Sequence, residues 1–141
     1  MIIKESAEDY LEAILVLGNE KGKVRSIDVA NYLGYSKPSI SVAMKNLREN
    51  GYIKIDEQGY IFLEKSGLEI ASKTLEKHSL LTDWLISLGV SPETASKDAC
   101  KMEHAISEES FKAIREVIAD EDDISEEDLI EEMMPIDLIR F

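Results

Sequence analysis

The chain has 141 residues, of which 44% are hydrophobic and 32% charged, and a formal net charge of −13. That is enough apolar material for one core or two small modules packed together, and it excludes several independent domains. No run approaches the roughly 20 apolar residues that cross a bilayer, and the N-terminus enters an acidic amphipathic pattern with no basic leader, so a soluble cytoplasmic protein with no membrane partner is expected. A single cysteine, Cys100, rules out an intrachain disulfide and leaves one thiol for packing, redox chemistry or a metal.

A charge of this sign argues against a polyanionic partner until its distribution is considered. Residues 1–66 carry 9 Lys and Arg against 10 Asp and Glu, whereas residues 67–141 carry 7 against 19. The first half is therefore free to approach nucleic acid locally, and the second half is a solvated or cation-attracting region.

In chain order, Tyr10, Leu11, Ile14, Leu15 and Leu17 recur at helical spacing and predict a helix over 6–17, with Ser6 as its cap and a stop between Gly18 and Gly22. Residues 26–34 read as a two-turn helix capped by Ser26 and ended by Gly34. Residues 36–50 read as a second, with Pro38 in its first turn, where the missing N–H does no harm. Two short helices joined by a tight turn are the parts of a helix-turn-helix.

Two β-rich runs within 51–63 follow, separated by the loop Asp56, Glu57, Gln58, Gly59, and predict a hairpin in the position of a wing. From Ser66 an apolar pattern through Leu68, Ala71, Leu75, His78, Leu81, Leu85 and Leu88 predicts a helix of about 20 residues ending at Gly89. Ser91 and Pro92 open the next helix, which carries DACKMEHAIS at residues 98–107, and another is expected from Ser107 to Ala119. The charge run at 120–123 is expected to be a flexible joint, and 125–134 a final short helix stopped by Pro135. The expected architecture is mainly α. An N-terminal winged helix-turn-helix with a two-stranded β wing (1–66) precedes an all-α metal-binding and dimerisation domain ending in an acidic segment (67–141).

Three constellations carry chemistry. Ser36, Lys37, Pro38, Ser39 and Ser41 stand at the N-terminal end of the second short helix, where a recognition helix meets base edges, with Lys45 further along and Arg25 ahead of the helix pair. The competing explanation is ordinary capping and a solvated face. Cys100, Glu103 and His104 fall within an arc of about 100° at helical pitch, so thiolate, carboxylate and imidazole converge. Asp9 and Glu12 are neighbours on the first helix, and His78 lies on the long one; these six are candidate ligands for a first-row transition metal. Taken singly, each has a structural explanation in helix N-terminal charge or core packing. Leu81, Trp84, Leu85 and Leu88 form an apolar stripe read as core or dimer interface. No nucleophile elbow, phosphate-binding glycine loop or two-cysteine zinc motif is present, so no enzyme and no small-molecule substrate are expected.

The ordered set of Glu8-Asp-Tyr-Leu-Glu12, Ser36-Lys-Pro-Ser39, Gly51-Tyr-Ile, Leu63-Glu-Lys-Ser-Gly67, Lys77-His-Ser-Leu-Leu81 and Cys100-Lys-Met-Glu-His-Ala-Ile-Ser107 resembles the diphtheria-toxin-repressor and manganese-transport-repressor group of metal-dependent transcription regulators. The resemblance covers about residues 4–119. It implies that Asp9, Glu12, His78, Cys100, Glu103 and His104 occupy metal-coordinating positions of one branch or the other. Cys100 stands where the manganese branch has glutamate, and Asp9 where the iron branch has methionine, so the implied site is a hybrid. Fe(II) is the first choice and Mn(II) the second, with Zn(II), Co(II) or Ni(II) as ions that bind in vitro. Thr82 and Ser96 lie near ancillary ligand positions of the iron branch, and Val42 replaces a longer polar reader found in some relatives. The implied function is a homodimeric repressor of metal homeostasis that binds a palindromic operator in double-stranded DNA when metal is present. The alternatives are a metal-independent winged-helix regulator answering to a small molecule or protein, a small metalloenzyme, and an interaction protein whose acidic half binds a basic partner.

Overall fold

The computed structural model describes residues 5–123, and the helix expected at 125–134 lies outside them. Contacts divide the chain into two compact units, one reaching Ser79 and the other starting at Leu80. The first unit begins with α1 (Glu5–Lys21), α2 (Ser26–Leu33) and α3 (Lys37–Glu49), followed by β1 (Ile53–Ile55) and β2 (Ile61–Leu63). Next comes α4 (Lys65–Ser87), and the second unit continues with α5 (Pro92–Ala105) and α6 (Glu108–Asp123). This is the expected winged helix-turn-helix followed by a helical module.

Helix α1 runs a turn further than the apolar spacing predicts, through Gly18 to Gly22, whose φ of +85° ends it. Extending an established helix past one glycine costs only about 1 kcal/mol, less than ending it early would lose in backbone bonds. In α2 the cap position is Arg25 rather than Ser26: the Asp28 carboxylate accepts the Arg25 N–H at 2.8 Å and the Lys21 Nζ at 2.7 Å, tying α1 to the start of α2. Helix α3 starts as its sequence predicts, with the Ser36 hydroxyl accepting from the Ser39 N–H at 3.3 Å and Pro38 in the first turn.

The wing is an antiparallel pair in which Ile53 faces Leu63 and Ile55 faces Ile61. Its loop is closed by Asp56, whose Oδ1 accepts the N–H groups of Gln58 and Tyr60, and by Gly59 at φ +84°. A third extended segment leans on it, because the Ile61 N–H donates to the Val24 carbonyl at 2.7 Å. Leu11, Ile14, Ile40, Met44, Leu47 and Ile53 are buried together beneath these elements, and Ala71 of α4 closes the same core. Each large side chain contributes about 1.5–3 kcal/mol of burial, so the recognition helix is held to α1 and the wing by its three inward residues.

In the second unit, Ser91 caps α5 by accepting the Thr94 N–H, and Leu81, Ala99 and Phe111 are buried, with Trp84, Met102 and Ile114 against them. Helix α6 continues through the acidic run to Asp123 where a joint was expected, since elongating a helix already nucleated costs little.

Candidate functional site

Ligand-type side chains stand near one another within each unit. In the first unit, Asp9 and Glu12 lie one turn apart on α1, and the carboxylate of Glu12 comes within 4.8 Å of an imidazole nitrogen of His78 on α4. All three are half-buried. In the second unit, Cys100, Glu103 and His104 share a face of α5, with one donor atom of each within 4.8 Å of the others. Glu103 and His104 are the sequestered members, with side chains 1% and 4% exposed, and His104 Nε2 stands 3.3 Å from Glu103 Oε1. Cys100 is exposed.

A carboxylate this far from water demands compensating charge, and imidazole, carboxylate and thiolate at one helix face are the donors that a first-row divalent cation takes. The residues present therefore fit such an ion. Asp9 and Glu12 offer harder carboxylate oxygens, and His78 a further imidazole.

Tyr10 sits between the two acids of α1, and its ring meets Tyr35 edge-on, with centroids 5.9 Å apart. Burial first, then the neighbouring Tyr35 and Asp9, push its phenol above the usual range, so it stays neutral and acts as a packing group. Tyr35 directly precedes the Ser36 cap. The helix that carries Asp9 and Glu12 thus braces the start of α3.

The exposed face of α3 carries the expected residues. Lys37, Pro38, Ser39, Ser41 and Lys45 are all exposed, and Ser36 is exposed but engaged in capping. Ser26 and Ile27 from α2, with Lys37, Ile40 and Ser41 from α3, line an open cleft of about 200 Å³ between the two helix starts. Arg25 stacks its guanidinium 4.5 Å from the centre of the Tyr60 ring on the wing. Sequence reasoning missed Lys23, whose Nζ lies 4.9 Å from the same ring. The signal was the alternation around buried Val24, which puts Lys23 and Arg25 on one side of an extended segment.

Of the stripe read as interface, Leu81 is fully buried inside its own unit, Trp84 and Leu85 are half-buried, and Leu88 is 64% exposed. Leu88 is thus the residue of the four still turned to solvent.

A family model described as the N-terminal DNA-binding domain of iron-dependent repressors matches residues 3–61, and one described as their metal-binding and dimerisation domain matches residues 64–130. The chain belongs to the iron-dependent repressor family. It carries both of that family's domains and is by descent a metal-dependent, DNA-binding transcriptional repressor. The repressor is 38% identical over 112 residues to the transcriptional regulator MntR of Escherichia coli O6:H1, across 79% of this chain and 72% of the relative. It is 30% identical over 126 residues to the HTH-type transcriptional regulator MntR of Bacillus subtilis, across 88% of this chain and 89% of the relative. A solved manganese-dependent transcriptional repressor in complex with manganese superposes with a TM-score of 0.74 at 27% identity, over 80% of this chain. The repressor spans about half, 52%, of that solved chain. Among the described residues, no helix is long and apolar enough to cross a membrane.

Proposed function

We propose that the repressor binds a palindromic operator in double-stranded DNA as a homodimer in the cytoplasm, without catalysing a reaction, and that Asp9, Glu12, His78, Cys100, Glu103 and His104 hold the divalent ion that activates it. The observation that carries this reading is the sequestered Glu103 and His104 pair with Cys100 on the same face of α5, in the segment matched by the metal-binding domain. Fe(II) is the first choice, because a thiolate and an imidazole among carboxylates favour an ion softer than Mn(II). Mn(II) is the second, favoured by the hard donors Asp9 and Glu12 and by the manganese-dependent solved relative.

Asp9 and Glu12 ride on the helix that braces α3, whereas Cys100, Glu103 and His104 ride on α5. A bound ion would supply the positive charge that the carboxylates of Asp9, Glu12 and Glu103 call for. Without it these acids repel, and the heads of a dimer sample separations unsuited to DNA. Holding them together favours the state in which two α3 helices meet successive major grooves, roughly 34 Å apart.

The test is anaerobic titration of Fe(II), Mn(II), Co(II) and Zn(II) at fixed salt, with anisotropy of a labelled duplex selected from a random-sequence pool. Wild type is expected to bind with metal and release on chelation, and Cys100→Ala to weaken or to move its preference toward Mn(II). Tight, specific, metal-independent binding that is unchanged in Cys100→Ala would overturn the proposal.

A further inference from the structure

Helix α3 turns a large aliphatic side chain straight into solvent. Its inward residues are Ile40, Met44 and Leu47. At about 100° per residue, Val42 stands within roughly 15° of the point opposite their mean direction, at the crest of the helix. Val42 is 60% exposed, and among the exposed large hydrophobics of the described residues only Leu88 exceeds it. Pro38 lies one turn before it on the same crest, and Lys45 and Asn46 one turn after.

A valine at this place neither fills the core nor solvates the helix, and its β-branch makes it a poorer helix former than the Lys45 and Arg48 that follow it. It has no hydrogen-bonding group, so it cannot read the donors and acceptors of base edges. The major groove does offer one apolar mark, the C5-methyl of thymine. Ser39 and Ser41 hydrogen-bond to any base, and Lys45 is a cation for phosphate or guanine, so none of them duplicates that reading.

We propose that Val42 selects an A·T pair in each operator half-site through the thymine methyl. The inference rests on the DNA-binding reading above and assigns the specificity of that surface. Removing one buried methyl contact weakens binding by about 4-fold, and by about 15-fold when a dimer loses it in both half-sites.

The full chain, loaded with Mn(II), is used to select duplexes from a random-sequence pool. The selected duplex is then resynthesised with deoxyuridine replacing thymidine at one symmetric pair of positions at a time, which deletes the methyl and leaves every hydrogen-bonding group. Wild type is expected to lose about 15-fold at one such pair. Val42→Ser is expected to bind the thymine and uracil duplexes equally, and Lys45→Ala to keep the wild-type discrimination. Wild-type binding indifferent to every uracil substitution, or an undiminished uracil penalty in Val42→Ser, overturns the role of Val42 and leaves DNA binding intact. A selection that enriches no sequence overturns both readings.

Discussion

Replacing Gly67 by alanine should destabilise the protein, against the usual gain from putting alanine in a helix. Gly67 lies in the first turn of α4, and a Cβ there would overlap the Tyr52 carbonyl oxygen, with the carbonyl carbon at 3.1 Å and Leu11 Cδ2 at 3.4 Å. Non-bonded heavy atoms settle near 3.5–4.0 Å, so the turn must retreat by roughly 1 Å. The same carbonyl accepts the Glu64 N–H at 2.9 Å, and Ser66 Oγ donates to the Gly51 carbonyl at 3.1 Å, so retreat strains the seam between wing and helix. Overpacking costs about 1–3 kcal/mol and a stretched hydrogen bond about 1, against a helix gain of about 0.5–1. The net loss is about 2 kcal/mol. In urea the midpoint should fall by about 1 M at unchanged slope. A variant as stable as wild type, or more so, would mean that backbone and helix do not meet as closely as described.

Asp28 makes a small contribution to the acid limb of stability. The Lys21 hydrogen bond first, then the Arg25 N–H, hold its carboxyl below the ordinary 3.8. Its contribution is complete above that value and is lost as the pH falls through the lower folded value, so Asp28→Asn should flatten the acid limb below about pH 4. The effect is a fraction of a kcal/mol because the pair is solvent-screened, and parallel acid titrations of the two proteins would refute it. Arg25→Ala should weaken binding equally for all sequences and reduce the slope of log K against log salt by about 1.8, about 0.9 for each protomer of the dimer, while an unchanged slope would remove Arg25 from the phosphate contacts. Mn(II) at 100 times its dissociation constant should raise unfolding free energy by about 2.7 kcal/mol, and His104→Ala should lose most of that gain; thermal scans with and without chelator decide it.

The winged-helix half was legible because its signals are local. Ser36 with Pro38 marks a helix start, and Asp56 to Gly59 marks a turn, whatever surrounds them. Cys100, Glu103 and His104 were legible for the same reason, since helical pitch alone puts them on one face. What escaped depends on partners distant in sequence. Nothing near Gly67 announces that Tyr52 will press against it, and nothing near Lys23 announces Tyr60. Periodicity marked the Leu81, Trp84, Leu85 and Leu88 stripe as apolar, but it does not say what covers each residue, and Leu81 is covered by Ala99 and Phe111 of its own unit.

The first half of α4 belongs to the DNA-binding unit: Ala71 closes its core, Ile70 packs against it, and buried Thr74 donates to the Ile70 carbonyl at 2.9 Å. A fragment cut at the end of the wing would leave that core uncovered, so an isolated head has to be expressed through about residue 79. Because the units divide inside a continuous helix, grafting a relative's sensing module onto this head is a matter of helical phase. One residue too many in the splice turns all that follows by about 100° and advances it 1.5 Å, whereas an insertion of seven leaves the rotation within about 20°.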